Sequence, residues 1–209
     1  MDLLKPFCFP SSAPGRKHGP GGYANYQEYK DWLRDEFDFR CVYCLERETW
    51  YPSRQGAFAV DHILPQLKRP DLVCDYDNLV YACLRCNSFK QDFETLDPSR
   101  GALDEHLYFE PDGSVVARTD DGREFILLFH LNAAPASDVR NEKLRILRLK
   151  GLYPDDPEVA KLFRETFGYP EDLPDLRSPA KRPKSNSRPD GVRKCHFLRR
   201  LEGKLPEVY

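Results

Sequence analysis

The sequence predicts an α+β fold, and three observations predict it. Short apolar runs with the two-residue alternation of strands occur near 58–60, 107–109 and 115–117. Apolar residues at three- and four-residue steps mark helices at 23–37 and 137–150. Between the first helix and the later strands lie two Cys-x-x-Cys pairs, Cys41-Val42-Tyr43-Cys44 and Cys83-Leu84-Arg85-Cys86.

Taken in order, residues 1–22 hold four prolines with Gly19, Gly21 and Gly22, the composition of an irregular arm. The first helix follows, with Tyr26, Tyr29, Leu33 and Phe37 on one face. The cysteine-bearing segment completes a core over 23–100. Beyond it, strands are expected at 107–109, 115–117 and 125–131, joined by the turns Pro111-Asp112-Gly113 and Asp120-Asp121-Gly122. The helix at 137–150 has Ser137 as its expected N-cap and Gly151 as its end. With the strands it forms an extension over 101–174. From 175 the chain turns to Pro, Ser, Lys and Arg, so 175–209 reads as a basic, largely flexible tail.

Composition bounds the partners. Only 40% of the 209 residues are hydrophobic, the mean hydropathy is −0.67 and there are 18 prolines. A core that thin calls for a staple. Seven cysteines, an odd number with four in Cys-x-x-Cys pairs, argue against a secreted disulfide framework. The first residues lack a signal-peptide pattern, and no stretch approaches the roughly 18 apolar residues of a membrane span. The expectation is a protein of a reducing compartment, the cytoplasm, without a membrane partner. Two residues between cysteines let both thiolates reach one ion, so Cys41, Cys44, Cys83 and Cys86 are candidate ligands of a closed, structural zinc.

Between and after the knuckles stand Val60-Asp61-His62-Ile63-Leu64-Pro65, Asp77-Asn78-Leu79 and Cys86-Asn87-Ser88-Phe89-Lys90. Phe58 and Val60 alternate as in a strand that delivers Asp61 and His62 at its end, and the segment from Cys83 to about Leu96 reads as a knuckle running into a helix. This order over about 41–90 resembles the HNH endonucleases, in the branch with two zinc knuckles, with Asn87 where many members carry histidine. The resemblance implies a zinc-stapled ββα-metal core, to which the N-terminal helix and a C-terminal β-hairpin-plus-helix extension are added. It also implies hydrolysis of DNA phosphodiester bonds with 5′-phosphate products.

The residue chemistry agrees. Hydrolysis needs a base for water, a cation for developing charge and a fixed line of attack. His62 suits the base because neutral imidazole exists near pH 7. Asp61 and Asn87 offer hard oxygens to Mg2+ or Mn2+. By the resemblance, Asn78 braces the loop and orients His62. Lys90, one helical step after Asn87, is a candidate phosphate contact and equally an ordinary solvated lysine.

Nine basic residues over 177–200 against the single acid Asp190 give a local +8 on a chain of net −2, a sign that suits phosphate. The other histidines, His18, His106, His130 and His196, have no catalytic pattern. A zinc-ribbon nucleic-acid-binding module without catalysis would not need Asp61, His62 and Asn87, whereas RNA cleavage would. The family's usual company extends to defence, restriction and mobile elements, with an ATPase or a second copy of the chain as partner.

Overall fold

The computed structural model describes residues 5–12, 15–179 and 182–208. In chain order its elements are β1 (Pro20–Gly21), α1 (Lys30–Glu36), β2 (Phe58–His62), β3 (Leu79–Cys83), α2 (Leu84–Lys90), β4 (Leu107–Phe109), β5 (Val115–Ala117), α3 (Asp120–Leu128), α4 (Ala134–Leu152), α5 (Pro157–Phe167), β6 (Ser185–Asn186) and α6 (His196–Leu201). The strands pair antiparallel as β1–β6, β2–β3 and β4–β5. The class is α+β, as the sequence predicts.

The central hairpin sets Phe58 opposite Cys83 and His62 opposite Leu79. All five residues of β3, Leu79-Val80-Tyr81-Ala82-Cys83, are buried, which a strand tolerates on both faces when its one hydroxyl, on Tyr81, finds a partner. Helix α1 packs against it. The 3-10 turn Tyr26–Tyr29 leads into α1, capped by Asn25 and Glu28 reciprocally. Arg34 of α1 grips Glu48 through two nitrogens, each at 2.9 Å, and Tyr81 of β3 donates to the same carboxylate at 2.7 Å. A buried ion pair survives only when its remaining lone pairs are also met. Here Tyr81 meets one.

Three expectations are corrected. Residues 125–131 are not a strand, and Asp120-Asp121-Gly122 is not a turn: both belong to α3 or its exit. Thr119 accepts from the Gly122 amide (3.1 Å), and two aspartates sit in the positive first turn, so this is a helix start. Gly122, Phe125 and Phe129 are buried while Leu127 is 66% exposed, the helical period rather than the strand period. The next helix, α4, starts earlier than expected, with Pro135 in its first turn, and runs through Gly151. Helix α5 was not anticipated; its start is marked by Asp156, which accepts from the Glu158 and Val159 amides, and by Pro157 at the first helical position.

The third correction concerns the ends of the chain, expected to be irregular and flexible. Phe7, Phe9 and His18 of the arm are buried, and so are Cys195 and His196 of the tail. Strand β1 pairs with β6, and Arg188 bonds the His18 carbonyl and both oxygens of Asp77. A Cβ on Gly191 would lie 1.9 Å from the Lys17 carbonyl oxygen, so the tail meets the arm only as glycine. The clasp centres on Asp35 of α1. One carboxylate oxygen takes the His18 ring (2.7 Å), and the other takes both the His196 ring (2.9 Å) and its backbone amide (2.8 Å). His196 also reaches Asp38 at 3.2 Å. Composition misses this because the partners are separated by up to 161 residues.

Burial alone would lower the His196 imidazole, but its bonds to Asp35 and Asp38 outweigh that and hold it above the ordinary value. A raised folded value stabilises below the unfolded value, ~6.5, and the gain is lost as pH rises through the folded value. His196→Gln is therefore expected to lower stability by about 1–3 kcal/mol near pH 6. Thermal melts across pH check it: the gap to wild type should narrow in alkaline buffer, and a gap that widens there would contradict the charged clasp.

Candidate active site and metal centre

Two centres share the hairpin and α2. In the first, the sulfur atoms of Cys41, Cys44, Cys83 and Cys86 lie within 4.8 Å of one another, and all four residues are buried. Leu45 in a left-handed conformation (φ 61°) and the Leu45 amide on the Cys41 carbonyl shape the first knuckle. The Val42 amide donates to the Tyr81 carbonyl and ties that knuckle to the hairpin. Cys83 ends β3 and caps α2, its sulfur accepting from the Cys86 amide at 3.4 Å.

The donor set fits zinc. Zn–S bonds of about 2.3 Å in a tetrahedron put sulfurs about 3.8 Å apart, and Cys44 and Cys83 stand at 3.7 Å. Four thiolates around Zn2+ leave a double negative charge. Arg85 and the buried Arg140 of α4 both feel the Cys44 sulfur, and each keeps one buried nitrogen with no partner among the described residues. Cations beside the cluster are what such a charge requires.

The second centre is an open pocket lined by Tyr26, Asp61, His62, Gln66, Asn87 and Asp92, among others. The hairpin supplies Asp61 and His62, and α2 supplies Asn87. His62 is 5% exposed. Its Nε2 lies 3.0 Å from the Val73 carbonyl oxygen, which only accepts, so Nε2 carries the hydrogen and Nδ1 is the free base. Gln66 donates its amide to Nδ1 at 3.2 Å, and Tyr26 lies edge-on at 4.7 Å. Burial lowers the His62 imidazole below its ordinary value, over the opposing pull of the Val73 carbonyl and Asp61. That shift favours the neutral ring.

Asp61 is 6% exposed. One oxygen accepts the His62 amide (2.8 Å) and the other the Tyr43 hydroxyl (2.7 Å). Burial raises its carboxyl, and Lys90, Tyr43 and the His62 amide counter that. Asn78 accepts from the Leu64 amide (2.9 Å) and donates to the Leu64 and Leu72 carbonyls (3.2 and 3.3 Å). It braces the loop on both sides of the turn that brings Val73 to His62.

Lys90 is elsewhere than a solvent-facing phosphate contact. It is 1% exposed, donates to the His62 carbonyl at 2.6 Å and lies 3.9 Å from Asp61. The face of α2 that carries it turns into the hairpin. Sequence reasoning also missed Gln66, four residues after His62 in the turn that follows the strand, and Tyr43, between the knuckle cysteines.

Residues 41–93, about a quarter of the chain, match the family model described as HNH endonuclease. This segment is similar to the HNH endonucleases. A comparison with curated proteins finds no match to the chain. The HNH match makes the function nuclease-type in general terms. Residues outside it also surround the domain: Arg140 lies by the cysteines and Tyr26 by His62. Among the described residues, no helix is long and apolar enough to cross a membrane.

If the four cysteines hold one zinc, purified protein should contain about one equivalent of it, and Cys83→Ser should lose both the metal and the cooperative melt, because that residue joins strand to helix. Elemental analysis beside calorimetry checks this; a zinc-free variant with wild-type melting would refute it.

Proposed function

We propose that the chain is a divalent-metal-dependent endonuclease that hydrolyses DNA phosphodiester bonds, with His62 as general base. One observation carries the reading. The proton-accepting Nδ1 of His62 is presented beside a pocket shared with Asp61 and Asn87, while Val73 holds the other ring nitrogen.

Gln66 marks where the nucleophile sits, since its amide nitrogen lies about as far from Nδ1 as a water oxygen would. An exposed side chain held by one neutral hydrogen bond yields that place readily. Nδ1 takes one proton from the water, the oxygen bonds to phosphorus and the bond to the 3′ oxygen breaks. The 5′-phosphate stays on one fragment, and the 3′ oxygen leaves with a proton from solvent. Asp61 and Asn87 would hold Mg2+ or Mn2+, which supplies charge stabilisation at the phosphate and the leaving oxygen. Asn78 keeps the Val73 turn in place and so the tautomer of His62.

On the loop after His62, next in sequence to the lining residues Pro65, Gln66 and Leu67, Lys68 pairs with Glu94 (2.9 Å) and Arg69 with Asp71 (2.7 Å), all exposed. Solvent-exposed pairs are worth little, so these cations are available to exchange their carboxylates for backbone phosphates. A role in defence, restriction or a mobile element, with an ATPase or a second copy as partner, is the setting that the family likeness suggests.

Plasmid nicking with Mg2+, Mn2+ or EDTA is the test. Wild type should cut with either metal and stop with EDTA, and His62→Ala should cut two to four orders of magnitude more slowly, about the range for removing a general base. Undiminished cleavage by His62→Ala would refute the assignment. Binding without cleavage by wild type would favour a zinc-ribbon binding module, and cleavage of an RNA duplex in preference to DNA would move the substrate class.

A further inference from the structure

Tyr43 lies between Cys41 and Cys44, is fully buried, and donates its hydroxyl to Asp61 at 2.7 Å. Its ring is held from outside the HNH segment. Phe129, at the exit of α3, stacks on it at 4.3 Å with planes 17° apart, and Phe125 of α3 stands 6.2 Å away. One side chain therefore touches the zinc knuckle, the carboxylate of the open pocket and the helical extension.

The hydrogen bonds around Asp61 define what Tyr43 does there. A carboxylate has about four lone-pair directions. The His62 amide takes one on Oδ1 and the Tyr43 hydroxyl takes one on Oδ2, so each oxygen keeps a lone pair while the group cannot rotate. Lys90, at 3.9 Å, adds charge but no short bond. Without the Tyr43 hydroxyl, the group could turn about its Cβ–Cγ bond, and a cation needs its ligand oxygens in place before it arrives.

We propose that Tyr43 is a positioning residue: it fixes the Asp61 carboxylate for the divalent cation, and α3, through Phe129, holds Tyr43 in turn. This rests on the nuclease reading above. It gives the extension beyond residue 93 a part in building the site.

Tyr43→Phe in the full chain tests it, because the ring, its stack and the knuckle stay while the hydroxyl goes. Removing a hydrogen-bond partner of a metal ligand typically costs 10–100-fold in metal affinity or activity. The expected result is Mn2+ affinity, read by electron paramagnetic resonance, weakened by that factor, with kcat lowered alongside it. Zinc content, melting temperature and KM for DNA should stay at wild-type values. Wild-type Mn2+ affinity and kcat in Tyr43→Phe would overturn the proposal. Lost zinc or a much lower melting temperature would overturn it too, marking the bond as support for the fold. A wild-type protein that neither binds Mn2+ nor cuts would instead remove the nuclease reading, and the proposal with it.

Discussion

The double role of Cys83 is the constraint on which the rest depends. It is the last residue of β3, the cap of α2 and one corner of the four-sulfur cluster. Its position in the cluster fixes where the strand stops and at what rotation the helix starts. Each residue turns a helix by about 100°, so a slip of one position would swing Asn87 out of the pocket and Lys90 from beneath His62. The first knuckle adds the second anchor, because the Val42 amide is bonded to the Tyr81 carbonyl of the same strand. A strand whose only polar side-chain anchor is the Tyr81 hydroxyl and a helix of seven residues would otherwise have little to set their register.

The long connection between β2 and β3 poses the opposite problem, since it contains only short 3-10 turns. Its far end is held from both termini of the chain. Arg16 donates to the Leu79 carbonyl at 2.7 Å, and Arg188 clamps Asp77, next to Asn78. Asp35 fastens arm and tail to α1, which packs on β3. The clasp is therefore continuous with the loop that orients His62. Truncating the tail would remove part of that scaffold as well as a set of positive charges.

What the sequence revealed and what it hid follow from the range of the interactions involved. Asp61, His62 and Asn87 lie on one hairpin and one helix, and the four cysteines fall in two local pairs, so their order along the chain marks them as candidates. Lys90 was legible as a helix residue but not as a buried one, because its direction depends on how α2 leans on the hairpin. The stretch around Phe125 alternates well enough to be a strand; the Thr119 cap and the stacking of Phe129 on Tyr43 decide for a helix. The pairing of His18 and His196 through Asp35 has no local signal, and the apolar content of the tail is too low to suggest that it packs.

The electrostatics of the pocket complete the physical case. Its lining holds two carboxylates, Asp61 and Asp92, on a chain of net −2. The one lysine close to Asp61 is buried and committed to the His62 carbonyl. The nearby exposed cations on the His62 loop, Lys68 and Arg69, are paired with carboxylates. A neutral His62 adds no positive charge. Two carboxylates against the single charge of Lys90 leave the pocket's own groups net negative, which disfavours a phosphate. In the proposed reaction, the divalent cation on Asp61 and Asn87 has two tasks: reversing the sign of the pocket so that the backbone can enter, and stabilising charge as the bond breaks. The lowered His62 imidazole would serve the same end, since a base there would accept a proton beside a site that would hold a cation.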